Sequence, residues 1–176
     1  GAPYNDEGSD GDLSATENEG KVYLVLGSAI AAQPPGTTFD LATQASYSFV
    51  GNAATDSLAY GSIASAGDVD DDGQDDLLFA AELADPGGIN NAGTTYLMLG
   101  STITAQVVGT TFDIHTEASY TFQASAGGAN YSGHGASYAG NVDNAGGDDV
   151  LIGAYGNDQG GADAGKTYLF LADTIT

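Results

Sequence analysis

Apolar residues in this chain fall in short runs separated by Gly, Asp, Asn and Ser clusters, and they do not recur at the 3.6-residue interval of an amphipathic helix. Four such runs, at roughly 61 to 67, 76 to 81, 94 to 99 and 119 to 123, are bounded by turn residues and rich in Val, Ile, Thr and Tyr, the composition of strands. With 27 glycines spread along the chain, helix is disfavoured further. The pattern predicts an all-β protein of short strands.

The runs repeat. Gly20-Lys21-Val22-Tyr23-Leu24-Val25-Leu26-Gly27-Ser28 returns as Gly93-Thr94-Thr95-Tyr96-Leu97-Met98-Leu99-Gly100-Ser101, 73 residues on, and as Gly165-Lys166-Thr167-Tyr168-Leu169-Phe170-Leu171 after a further 72. Thr38-Phe39-Asp40-Leu41 matches Thr111-Phe112-Asp113-Ile114, and Ala45-Ser46-Tyr47-Ser48-Phe49 matches Ala118-Ser119-Tyr120-Thr121-Phe122, both at 73. Four strands in one period, with no helical pattern, is the signature of a propeller blade.

Residues 68 to 76 read Asp-Val-Asp-Asp-Asp-Gly-Gln-Asp-Asp, a loop whose alternate carboxylates suit a hard cation such as Ca2+. Asp68, Asp70 and Asp72 are placed to converge, Gly73 allows the sharp turn, Gln74 offers a backbone carbonyl and Asp76 closes the shell. The loop lacks the Glu at position 12 of an EF-hand, and its flanks read as strands, so it belongs at a β-hairpin tip. One period later, residues 141 to 149 read Asn-Val-Asp-Asn-Ala-Gly-Gly-Asp-Asp. Asn141, Asp143, Gly147 and Asp149 make a weaker second site, because Ala145 removes the position-5 ligand.

On these residues the chain resembles the FG-GAP repeat of integrin alpha-subunit propellers and of many secreted bacterial proteins. Phe49-Val50-Gly51 stands at the Phe-Gly element, Tyr60-Gly61-Ser62 at the start of the inner strand and Gly1-Ala2-Pro3 at the Gly-Ala-Pro element. Ala80-Ala81-Glu82 and Gly153-Ala154-Tyr155 are imperfect versions of the last, and Phe122-Gln123-Ala124 loses the glycine. The resemblance implies four-stranded antiparallel blades, with calcium in the hairpin between a blade's first and second strands. The 176 residues then hold about two and a quarter blades. Residues 1–51 supply the outer strands of one blade, 52–124 a complete blade and 125–176 part of a third. Since propellers close with four to eight blades, the expected partners are missing blades of a parent propeller or further copies of the chain. Three copies supply about seven blades' worth of strands.

Composition narrows the setting. The net charge is −22, with Lys21 and Lys166 the only basic residues besides two histidines, and such a surface repels nucleic acid and anionic membrane. No apolar run approaches the ~20 residues of a membrane span. Cysteine is absent, so disulfides play no part. An acidic, lysine-poor chain with calcium loops is expected outside the cell or on its surface, where weak calcium sites fill.

Nothing in the sequence specifies a catalytic constellation. His115 and His134 read as solvent-facing loop histidines, and Glu82 and Glu117 as solvated turn carboxylates. Tyr23, Tyr96 and Tyr168, like Tyr47 and Tyr120, recur at one repeat position and read as packing residues between blades. Acidic, glycine-rich loops at 4 to 20, 82 to 92 and 155 to 164 occupy equivalent places and vary in length, as recognition loops do. The first of them carries an irregular calcium-like run, Tyr4 to Asp12. The sequence reading is thus a calcium-binding, non-catalytic interaction or adhesion module with an extracellular protein or glycan as ligand. The alternatives are a non-catalytic propeller portion of a secreted hydrolase or lyase and a structural surface-layer repeat.

Overall fold

The structure is a computed structural model that describes residues 1–3, 19–51, 57–124 and 130–175. Most of the acidic run at 4 to 20 therefore lies outside the described residues. The rest is β-rich. The first sheet holds β1 (Lys21–Leu24), β2 (Tyr47–Val50) and β6 (Thr111–Asp113), in that order. A second holds β3 (Ile63–Gly67), β4 (Asp76–Ala81), β5 (Thr94–Met98) and β7 (Tyr120–Gln123), each antiparallel to its neighbour. The third orders β8 (Ser132–Gly140), β9 (Asp149–Ala154) and β10 (Lys166–Phe170) as β10-β9-β8. The strands of the second sheet coincide with the four apolar runs of one period, and its order follows the chain. Ala2 makes an isolated antiparallel bridge to Lys21, beside β1.

Two features depart from the sequence reading. Among the described residues four short α-helices occur, α1 (Gly27–Ala31), α2 (Leu41–Gln44), α3 (Gly100–Thr104) and α4 (Ile114–Glu117). Each is about one turn, too short to leave a 3.6-residue pattern. The repeated Thr-Phe-Asp motif explains α2 and α4. Asp40 accepts a hydrogen bond from the Ala42 N–H at 3.1 Å and Asp113 one from the His115 N–H at 3.0 Å, so each Asp is an N-cap. The second departure is β6, which leaves its own sheet and pairs in parallel with β2, matching Phe112 to Phe49.

Side chains from neighbouring sheets fill two apolar layers. Between the first and second sheets lie Val22, Tyr47, Phe49, Leu58, Phe79, Tyr96, Met98, Ile103, Phe112 and Ile114. Phe49 stacks on Phe112 with centroids 5.2 Å apart and meets Phe79 at 4.6 Å. Between the second and third sheets lie Leu78, Leu97, Val150, Ile152 and Ala172, with Phe122 and Phe170 packed against them. Tyr47 and Tyr96 are thus buried packing residues, as their repetition implied. Close approach of the sheets needs Gly93, at φ +84°, where a Cβ would lie 2.3 Å from the Ser132 carbonyl. No helix among the described residues is long and apolar enough to cross a membrane.

Candidate metal centre

The acidic loop 68 to 75 joins β3 to β4, an antiparallel pair. Its shape is fixed by its own carboxylates. Asp68 accepts from the N–H groups of Asp72 at 3.0 Å and Gly73 at 2.9 Å, drawing the loop into a cradle. Asp71 and Gly73 take positive φ, 56° and 88°, to turn the chain, and Asn144 and Gly146 repeat this at 59° and 62° one period later. Asp76, fully buried at the start of β4, accepts from the Val69 N–H and, through its other oxygen, from the Gly100 N–H, both at 2.8 Å.

One carboxylate oxygen from each of Asp68, Asp70 and Asp76 lies within 4.8 Å of the other two. Oxygens bound to a calcium ion at 2.3–2.6 Å stand at most about 5 Å apart, so these three fit one coordination sphere. Asp70 Oδ1 sharpens the case. It is shielded from solvent and has no hydrogen-bond partner, an arrangement costly for a carboxylate unless a cation completes it. Burial, with the charges of Asp72 and Asp68, pushes the Asp70 carboxyl above its ordinary pKa. Asp76 is pushed the same way, chiefly by burial, despite its two backbone hydrogen bonds.

Two residues of the sequence set stand apart from this trio. Asp72 turns to Gln74, accepting from its backbone N–H at 2.8 Å and its side-chain amide at 3.3 Å. The Gln74 side-chain oxygen accepts from the Thr104 hydroxyl at 2.9 Å. In the second loop Asn141 Oδ1 and Asp143 Oδ1 both accept from the Ala145 N–H at 2.9 Å, and the Asn141 amide donates to the Gly146 carbonyl at 2.7 Å. Asp149 repeats Asp76, accepting from the N–H groups of Val142 and Ala172 at 2.6 and 2.9 Å. Gly147 lies against the first loop, where a Cβ would fall 2.3 Å from the carbonyls of Asp68 and Val69. Asp148, which no motif singled out, bridges the loops: its N–H donates to the Asp68 carbonyl at 2.7 Å.

The structure corrects the reading of Glu82 as a solvated carboxylate and of His115 and His134 as loop residues, while both histidines are exposed, as expected. Glu82 is buried, at 3% exposure, and meets His134 Nδ1 at 2.5 Å. His134 lies within β8 rather than in a loop, and its ring is edge-on to Tyr155, itself stacked on Tyr131 at 4.9 Å. His115 sits on α4 with Nδ1 3.4 Å from the Tyr96 hydroxyl. Glu82 and His134 meet across 52 residues of sequence, which local composition does not record. Glu117, by contrast, is exposed and accepts from the Asp113 N–H at 2.6 Å.

The family model of the FG-GAP repeat matches residues 60–98, the stretch that holds β3, the acidic loop, β4 and β5. No curated protein matches the chain.

Proposed function

We propose that this chain is a calcium-binding segment of an extracellular β-propeller and serves as a non-catalytic interaction or adhesion module. One observation carries the reading: the buried, unpartnered Asp70 Oδ1 lies in a trio of carboxylate oxygens, inside the stretch that matches the FG-GAP repeat. Three sheets packed face to face in repeat order, with β3 beside β8 through the Ser62 hydroxyl, which donates to the His134 carbonyl at 3.0 Å and accepts from the Ala136 N–H at 2.8 Å, support the propeller arrangement.

Asp68, Asp70 and Asp76 would hold the ion, with Asp72 and the Gln74 carbonyl completing the set. Bound calcium supplies the positive charge that the crowded carboxylates lack. Asp68 shapes the loop through two backbone N–H groups and Asp76 ties it to β4 and to the start of α3, so the ligands are held in place by the fold. The ordered loop in turn fixes the β3–β4 hairpin. The variable loops at 82 to 92 and 155 to 164 leave the opposite end of the sheets and are the surface offered to a ligand.

Thermal melting of the chain and of Asp70→Asn, in calcium and in chelator, tests the reading. Stabilisation by calcium that disappears in Asp70→Asn is the expected result. Equal melting in all four samples contradicts it.

A further inference from the structure

The parallel pairing of β6 with β2 has an unfilled counterpart. In the first sheet, β2 is buried at every residue under Phe112 and Ile114, and its edge is hydrogen-bonded along its length. The Ser48 N–H donates to the Thr110 carbonyl at 3.1 Å, the Gly109 N–H to the Ser46 carbonyl at 2.8 Å, and the Ser48 and Thr111 hydroxyls meet at 2.7 Å. One period later, β7 carries the same residues in kind: Tyr120, Thr121 and Phe122 stand for Tyr47, Ser48 and Phe49. Yet β7 is the edge strand of its sheet, and its residues alternate between half-buried and exposed.

Beside β7 lies a cavity of about 730 Å³ lined by Thr121, Phe122, Gln123, Ile152, Tyr168 and Phe170, among others. These six are the repeat counterparts of Ser48, Phe49, Val50, Phe79, Tyr96 and Met98, four of which (Phe49, Phe79, Tyr96 and Met98) pack in the layer that contains Phe112. Cavity and edge therefore reproduce the seat of β6 without its occupant.

We infer that this groove is a docking site for an extended Thr-Phe-Asp arm contributed by a further repeat of the same kind. The arm adds in parallel to β7 and seats its Phe on Phe122, as Phe112 seats on Phe49. By the same register, its backbone carbonyl accepts from the Thr121 N–H and its Asp caps a following helical turn. The inference stands on the β2–β6 pairing alone and is independent of the calcium reading.

A fluorescent peptide with the sequence of residues 109–118, added to the 176-residue chain, tests it by anisotropy. The expected result is saturable binding, weakened at least tenfold when the peptide carries Phe112→Asp and when the chain carries Thr121→Pro, which removes the edge donor. Because the peptide variant leaves the chain untouched, it keeps the test decisive if Thr121→Pro unfolds. Absent binding, or binding indifferent to Phe112→Asp, overturns the inference. Self-association of the chain that is lost in Phe39→Asp would also support it, since the Thr38–Leu41 segment of a second copy is itself such an arm.

Discussion

Asp148 and Asp68 hold each other by two hydrogen bonds: the Asp148 N–H donates to the Asp68 carbonyl at 2.7 Å, and Asp148 Oδ2 accepts from the Asp68 N–H at 3.2 Å. The second acidic loop is thereby a brace for the first. The brace needs Gly147, which has no room for a Cβ against the carbonyls of Asp68 and Val69. Its role is set by contact between loops 73 residues apart, whatever ion the second loop holds.

Gly147→Ala is therefore expected to destabilise the chain by about 1–3 kcal/mol, the usual range for overpacking. It should also weaken calcium binding at the first loop by displacing Asp68. Urea unfolding in calcium and in chelator measures both effects, and the loss should be larger in calcium.

Asp76 and Asp149 share a backbone-pinning role, but only Asp76 belongs to a trio of converging carboxylates among the described residues. An Asn at either position offers one acceptor where two N–H groups need one each, a loss of about 1–3 kcal/mol. Asp149→Asn should lose the same amount with and without calcium. Asp76→Asn should lose more in calcium, and the difference between the two variants isolates the ion's share.

The pH dependence should invert with calcium. Burial raises the pKa of Asp70 and Asp76 above 3.8 in the fold, so the folded chain without calcium holds these protons more tightly than the unfolded chain. That contribution is complete below pH 3.8 and is lost as pH rises through the raised values. In chelator, the part of stability due to this loop falls with rising pH. In calcium it rises over the same window, because the ion binds the ionised carboxylates. Melting temperatures of the parent chain and of Asp70→Asn across the acid range, in both conditions, separate this part from other carboxylates.

His134→Ala is expected to cost about 1–3 kcal/mol, because the buried Glu82 side chain loses its partner across the interface of the second and third sheets. Glu82→Gln, which keeps a hydrogen-bonding group of similar shape, should cost less. Neither loss should depend on calcium, and chemical denaturation in both conditions checks this.

The strands were legible because the repeat superimposes one apolar run on another: β4 and β5 fall on 76 to 81 and 94 to 98, within a residue of the runs read from composition. The acidic loop was legible because its spacing is local, six aspartates in nine residues. What the sequence concealed is non-local. Asp76 reads as a ligand, yet both its oxygens also bind backbone N–H groups, one of them 24 residues away at Gly100. Thr111–Asp113 is too short to show strand periodicity, and its partner β2 lies 63 residues back. Glu82 looks like a turn carboxylate until β8 brings His134 beside it.

Calcium titration of the chain by isothermal calorimetry, with Asp70→Asn alongside, tests the central claim most directly. The account predicts saturable binding with Kd of about 10⁻⁴ to 10⁻³ M, the range of extracellular modules, weakened at least tenfold in Asp70→Asn while the variant keeps its fold in chelator. A parent chain that takes up no calcium at millimolar concentration, or an Asp70→Asn variant that binds it equally well, would contradict the account.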